Sequence, residues 1–239
     1  MPAMKPKARH RRPKERHRVV DVTSDATQAE IGLAAVELLA SRLCHDLVGP
    51  VGAIGNGLEL LAEESSRFAG ETVTLVTRSA ERTAAMLALF RAAFGASGAQ
   101  AGFGLGEAQR VMADVLAGGK AVLDWPDETQ AGPLGAARLV LVMILVAGET
   151  LPRGGRIAVR TSQDRDFSAI VTATGVGARL TPELRVALDP AAPLASLSTR
   201  SIHAYFAAHL CRRQRAVLAV ESAADAVTLT LRMPLQPGG

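Results

Sequence analysis

Apolar residues recur at alternating spacings of three and four over two long stretches of this chain. The first stretch contains Leu33, Val36, Ala40, Leu43, Leu47 and, one heptad further on, Ile54. The second stretch contains Val73, Val76, Ala80, Thr83, Leu87, Phe90 and Phe94. This alternation is the a/d pattern of helices that pack side by side in a bundle. The pattern therefore predicts two long amphipathic helices in this part of the chain.

The two helices are predicted to form a hairpin spanning residues 26–97. Asp25 or Thr27 can cap the first helix, which should end near residue 65, and a turn near residues 68–70 leads into the second. A hairpin alone has no third or fourth helix to cover its apolar stripes. Two copies give a four-helix bundle that covers them, so the pattern predicts a C2 homodimer.

One histidine of the first helix has an unusual position. His45 lies within residues 42–50, and with Leu43 at heptad position d it falls at f, the position farthest from the seam. This phase argues against the alternative that His45 is a core residue. An exposed imidazole followed by a carboxylate, Asp46, on a rigid helix is suited to nucleophilic chemistry on a partner.

The helix surface around His45 is built from small and apolar residues. At three, four, seven and eight residues beyond His45 lie Val48, Gly49, Gly52 and Ala53. A glycine costs about 1 kcal/mol of helix propensity relative to alanine, so its presence needs a reason. We favour a docking surface for another protein over the alternative, which is tight packing within the hairpin. Arg42, one turn before His45, is a candidate for attracting an acidic partner, or else a solvated arginine.

After residue 104 the pattern changes to alternating helices and strands. Helices are predicted at about residues 105–116, 134–151 and 200–213, and strands at about 120–125, 156–161, 167–174, 217–221 and 226–233. Residues 104–235 should therefore form an α+β sandwich with helices on one face of a mixed sheet. His203 and His209, on the last helix, have no matching carboxylate or cysteine cluster and are expected to be structural.

The basic charge is concentrated at the N-terminus. Residues 1–18 carry eight Lys and Arg against Glu15 alone, although the whole chain has a net charge of only +4. Residues 1–25 are therefore expected to be a disordered basic tail, for which nucleic-acid binding is the less favoured role. The longest apolar stretch, residues 139–148, is too short to span a membrane, and no signal-peptide pattern is found. A cytoplasmic location is expected.

Residues 45–50, His-Asp-Leu-Val-Gly-Pro, have the form H-[DE]-L-x-x-P and resemble the phosphoacceptor helix of two-component sensor histidine kinases. The longer run of residues 42–61 resembles more narrowly the ChpT family, the dimeric histidine phosphotransferases of alphaproteobacterial phosphorelays. The similarity covers about residues 27–235, and the segment around His45 is its most specific part.

The second domain resembles the ATP-binding domain of those kinases, but its ligand positions differ. Residues 151–157 match the kinase turn T-P-x-G-G, yet the two asparagine positions of the preceding helix fall on Val142 and Val146. The adenine-reading aspartate falls on Ala173. The resemblance therefore implies a degenerate ATP-binding domain, and an ATP-dependent kinase is disfavoured.

The resemblance implies a phosphorelay function. His45 would carry a phosphoryl group between aspartates of response-regulator receiver domains, one of them in a hybrid histidine kinase, and Asp46 would hold the ring tautomer or take its proton. No cofactor or metal of its own is expected, since Mg²⁺ should come with the receiver. The alternative is a non-catalytic dimeric adaptor that binds receivers, which needs neither an exposed histidine nor its carboxylate neighbour.

Overall fold

The computed structural model describes residues 32–63, 69–96, 98, 102–126 and 132–235. The helices are α1 Leu33–Ala62, α2 Ala69–Ala93, α3 Leu105–Leu116, α4 Ala136–Glu149, α5 Pro182–Ala187 and α6 Ile202–Arg213. The strands are β1 Ala121–Asp124, β2 Gly155–Gln163, β3 Asp166–Thr174, β4 Val217–Ala223 and β5 Ala226–Pro234. The predicted basic tail and the predicted capping residues Asp25 and Thr27 lie outside the described residues. Of the predicted turn at residues 68–70, residue 68 also lies outside them, whereas Ala69 and Gly70 form the start of α2, so the turn prediction was wrong for these two residues.

The helices α1 and α2 pack against each other as a hairpin. The predicted seam, however, is only partly buried within one chain. The face of α1 that is buried in its own chain carries Ala35, Leu39 and Gly57, whereas Leu33 and Val36 of the seam are exposed. At Gly57 a side chain would collide with Val76 of α2, so this glycine allows the close approach of the two helices. One neighbouring helix covers only one side of α1, so burial of the outer part of the seam needs a second copy of the hairpin and stays a prediction.

The five strands form one mixed sheet in the order β1-β2-β3-β5-β4. Strands β1 and β2 are parallel, and the other pairs are antiparallel. Alternate side chains of β3 and β5 are buried, from Phe167 to Ala173 and from Val227 to Met233. Because buried side chains alternate along these strands, one face of the sheet packs against α4 and the other face is more open. The predicted α+β architecture with a mixed sheet is confirmed.

The longest apolar stretch of the sequence forms α4. Every residue from Ala136 to Ile144 is buried in this helix, which contacts α2, α3 and α6 as well as the sheet. A helix that is apolar on all sides needs such cover on all sides. Within the described ranges, no helix combines the length and the apolar character required to cross a bilayer.

The hairpin and the α+β layer share one continuous core. Arg138 of α4 donates a hydrogen bond through Nε to the carbonyl oxygen of Ala93 at 2.8 Å, at the end of α2. Phe94 stacks on His203 of α6 and meets Phe206 edge to face, each with 5.4 Å between ring centroids. These contacts cross the predicted boundary between the two domains, so α1 and α2 are held against the rest of the chain.

Both histidines of α6 are buried, as expected for structural residues. The ring nitrogens of His203 make no hydrogen bond to any described residue. Burial, with a further contribution from the charge of Arg42, lowers the pKa of His203 to about 4. The His203 ring is therefore neutral near pH 7 and serves as a flat partner for Phe94.

Candidate functional site

The imidazole of His45 projects into solvent from the first half of α1. Its side chain is 84% exposed. The heptad phase predicted this orientation, and the prediction that His45 lies outside the core is confirmed. An imidazole in this position is open to a second protein along the whole outer side of the ring.

Asp46 connects His45 to the interior of the molecule. Its Oδ1 lies 3.3 Å from His45 Nδ1, and its Oδ2 accepts a hydrogen bond from Arg42 Nε at 2.8 Å. The Asp46 side chain is only 19% exposed, so its carboxylate lies beneath the ring rather than in open solvent. A proton on Nδ1 would be donated to Asp46, which leaves the lone pair of Nε2 for bond formation.

Arg42 lies one turn before His45 and is held on several sides. Besides Asp46, it pairs through Nη2 with Glu149 Oε1 at 2.6 Å and approaches the carbonyl oxygen of Thr199 at 3.5 Å. Its side chain is 20% exposed, so the interpretation of Arg42 as a solvated arginine was wrong. Two carboxylates compensate its charge, which weakens long-range attraction of an acidic partner. A docking role for Arg42 stays a prediction.

The two carboxylates of this cluster stabilise the positive charge of Arg42. Burial by itself disfavours the Arg42 cation, but Glu149 and Asp46 outweigh burial and raise the pKa of Arg42. Burial raises the pKa of Glu149, while the neighbouring Arg42 opposes that effect. The guanidinium is thus firmly cationic between two carboxylates.

Sequence reasoning missed Glu149. It is the last residue of α4, a helix end where a carboxylate is disfavoured by the helix dipole, and it belongs to no recognisable motif. A carboxylate placed against the dipole was the one available hint that a cation lies nearby. Its partner Arg42 is far away in sequence, and only the packing of the hairpin against the second domain brings the two together.

A cleft of about 500 Å³ opens beside His45, between α1 and the second domain. Its walls include Arg42 and Glu149 together with Arg179, Glu183 and Arg200. The Glu183 carboxylate accepts a hydrogen bond from the Ser198 hydroxyl. The cleft therefore carries both signs of charge within reach of the exposed imidazole.

The predicted docking surface is open along α1. Val48 is 69% exposed, Gly49 and Gly52 are exposed, and Ala53 is half-buried. A side chain added at Gly49 or Gly52 would meet no described atom within 4 Å. Tight packing within the hairpin therefore accounts for Gly57 but not for these two glycines, and a docking role for the surface remains a prediction.

The positions that correspond to ATP ligands in kinases carry apolar core residues. Val142, Val146 and Ala173 are each 0% exposed. The adjoining turn keeps its glycines for backbone reasons: Gly154 has φ +80°, and a side chain there would collide with the carbonyl oxygen of Lys120. The turn can thus persist without nucleotide binding. In the described part of the chain, no group of three or more His, Cys, Asp or Glu residues is placed to hold a metal ion.

Comparison with known proteins identifies a matching family, a similar sequence and a similar solved structure. Residues 105–226 match the family described as histidine phosphotransferase C-terminal domain. The chain is 32% identical over 195 residues to protein phosphotransferase ChpT of Brucella abortus (strain 2308), covering 81% of this chain and 92% of that relative. A solved structure of a bacterial phosphotransferase is 31% identical, with a TM-score of 0.71 over 88% of this chain and 98% of that one.

Proposed function

This chain belongs to the ChpT family of histidine phosphotransferases and is a protein phosphotransferase, and on that basis we propose that His45 relays a phosphoryl group between aspartates of receiver domains. The observation that carries the proposal is the 84% exposed imidazole whose Nδ1 lies 3.3 Å from a half-buried carboxylate. A donor receiver in a hybrid histidine kinase and acceptor receivers of response regulators are the partners proposed here.

In the proposed step, the lone pair of His45 Nε2 attacks the phosphorus of an aspartyl phosphate. The N–P bond forms as the P–O bond to the aspartyl group breaks, and the receiver carboxylate leaves with the bonding electrons. The Nδ1 proton stays in contact with Asp46, whose negative charge offsets the positive charge that develops on the ring. The second transfer reverses these bond changes onto an aspartate of another receiver.

The remaining catalytic groups are proposed to come from the receiver. Phosphoryl transfer has a loose transition state, so correct positioning and neutralisation of charge supply most of the rate enhancement. The receiver's Mg²⁺, held by its acidic pocket, would provide that neutralisation. His45 would then provide the nucleophile, and the chain would need no metal ion of its own.

Incubation with a receiver domain that carries ³²P on its aspartate tests the proposal. We expect label to move to this chain in an acid-labile, base-stable linkage, the behaviour of phosphohistidine. A second, unphosphorylated receiver should then take the label. Stable binding of the receiver without any transfer of label would instead support the adaptor and contradict the proposal.

We also propose that the protein acts as a homodimer through α1 and α2. Of the fourteen exposed large apolar residues among those described, nine lie on these two helices. Val73 and Leu87, both of the predicted seam, are 51% and 47% exposed, and Leu58 of α1 is 54% exposed. A second hairpin would remove the exposed part of the seam from water and complete a four-helix bundle, while the surface around His45 stays open.

ATP is expected not to bind. The positions that would carry polar nucleotide ligands are Val142, Val146 and Ala173, all of them in the core. Isothermal titration calorimetry of the full chain with ATP should show no binding heat, with or without Mg²⁺. Magnesium-dependent binding in the micromolar range would contradict this expectation and reopen the kinase interpretation.

A bulky residue on the docking surface is expected to slow transfer with receivers. Gly52→Trp and Gly52→Glu should each weaken receiver docking by about tenfold, and Glu by more than its size implies, since receiver pockets are acidic. Both residues are better helix formers than glycine, so α1 should remain intact. The measurement is the rate of phosphoryl transfer as a function of receiver concentration.

Two controls separate docking from chemistry in the Gly52 variants. Their phosphorylation by phosphoramidate, a small donor that needs no docking surface, should match that of the wild type. Gly70→Trp and Gly70→Glu place the same side chains at another exposed, open helical glycine and should leave receiver transfer unchanged. Transfer at wild-type rates in both Gly52 variants would place the docking surface elsewhere.

A further inference from the structure

A chain of charged contacts leads from the second domain to His45. Glu149 Oε1 lies 2.6 Å from Arg42 Nη2, Arg42 Nε lies 2.8 Å from Asp46 Oδ2, and Asp46 Oδ1 lies 3.3 Å from His45 Nδ1. The Arg42 side chain is 20% exposed, and the side chains of Asp46 and Glu149 are each 19% exposed. Solvent and salt therefore screen these contacts less than they screen ion pairs at the open surface.

We propose that Glu149 is a positioning residue for phosphoryl transfer, which holds Arg42 so that Asp46 keeps one oxygen aimed at Nδ1 of His45. The inference rests on the proposed role of His45 and adds a residue of the second domain that acts on it. Glu149 does not touch the reacting atoms. It acts through Arg42 and Asp46.

The need for a second carboxylate follows from the geometry of arginine. A guanidinium paired with a single carboxylate tends to turn two donors onto its two oxygens. Arg42 instead presents only Nε to Asp46, because Nη2 is taken by Glu149 and Nη1 lies 3.5 Å from the carbonyl oxygen of Thr199. Asp46 thereby keeps Oδ1 for His45. Without Glu149, both Asp46 oxygens become available to Arg42.

The state of the His45 ring is the property that this arrangement controls. A carboxylate oxygen beside Nδ1 favours the tautomer with the proton on Nδ1, which leaves the lone pair on Nε2. That nitrogen is the one on the exposed side of the contact, where a phosphoryl donor arrives. Loss of the Glu149 contact should therefore increase the fraction of rings with the proton on the wrong nitrogen.

The test uses the full chain labelled with ¹⁵N in histidine, as wild type and as Glu149→Gln. The glutamine keeps an acceptor oxygen at nearly the same size but loses the charge. Ring ¹⁵N shifts, assigned to His45 with the His45→Ala spectrum, should show a mainly Nδ1-protonated ring in the wild type and a smaller such fraction in the variant. Phosphorylation of His45 by phosphoramidate should slow by about tenfold, a typical effect of removing an outer-shell partner.

Two further variants give the test its controls. Arg42→Lys should reproduce both effects, because a compact ammonium group lacks the rigid planar fork that holds the two carboxylates in fixed directions. Glu183→Gln removes a carboxylate from the same cleft that contacts Ser198 instead, and it should leave the ring shifts and the phosphoramidate rate at wild-type values. Thermal melting of each variant establishes that the fold is kept.

The outcomes distinguish this inference from the proposed function. Suppose that the wild type accepts phosphate and that Glu149→Gln has the same His45 ring tautomer and the same phosphoramidate rate. The positioning role is then wrong, and the proposed function stands. If only transfer from receivers slows, Glu149 acts in docking, which also overturns the inference. If no receiver phosphorylates the wild type, the proposed function fails, and the ring shifts still decide whether Glu149 positions His45.

Discussion

Replacement of His45 by alanine is expected to abolish phosphoryl acceptance while the protein stays folded. The side chain is 84% exposed, so its removal leaves no cavity in the core. The contact that is lost, to Asp46, is at the solvent boundary, where such pairs contribute about 1 kcal/mol or less. The measurement is transfer of ³²P from a phosphorylated receiver, together with a thermal melt.

The neighbouring Cys44 gives a matched control for this variant. Cys44 is also exposed and precedes His45 directly on α1. Cys44→Ala removes another exposed side chain from the same turn of α1 but leaves His45 in place, and it should transfer phosphate at the wild-type rate. Equal transfer by His45→Ala and wild type would exclude His45 from the mechanism. Collapse of the fold in His45→Ala would mean that the ring is structural.

A charged residue at Leu87 is expected to break the proposed dimer. Leu87 is 47% exposed in a single chain but lies on the stripe that a second hairpin would cover. In Leu87→Glu the dimer would bury an unpaired carboxylate, at a cost on the order of several kcal/mol. Light scattering coupled to size exclusion should show a dimer for the wild type and a monomer or aggregate for the variant.

The variant Val122→Glu tests whether a charge at any exposed apolar position disrupts the dimer. Val122 lies on β1, which is not part of the hairpin, and is 67% exposed. Val122→Glu should remain dimeric, since the charge stays in solvent. A monomeric wild type at micromolar concentration would refute the bundle, as would a Leu87→Glu variant that remains fully dimeric. The exposed residues of α1 and α2 would then need another partner.

The short helix α5 was not predicted, although the sequence contains a signal for its start. Thr181 caps this helix by accepting a hydrogen bond from the Leu184 amide at 3.2 Å, and Pro182 follows at the first helical position. A capping residue followed by proline is a recognised helix start. The helix is only six residues long, too short for a periodic apolar pattern to reveal it.

The sequence by itself determined most of the helices and strands and the orientation of His45. Helical phase is local, since residues three and four apart share a face, and Leu43 therefore places His45 on the opposite side of α1. The succession of helix and strand segments after residue 104 likewise predicted the mixed α+β layer. The motif around His45 predicted the family, which the comparisons confirmed.

Only the tertiary structure decided what surrounds His45. The pairing of Arg42 with Glu149 joins two helices that are remote in sequence, and no local pattern encodes which helix ends meet. The same holds for the seam of α1, where Ala35 is buried and Leu33 is exposed, because its burial depends on how many neighbours the helix has. The spacing of apolar residues identifies the apolar face of each helix. Which elements contact that face follows from how the whole core packs.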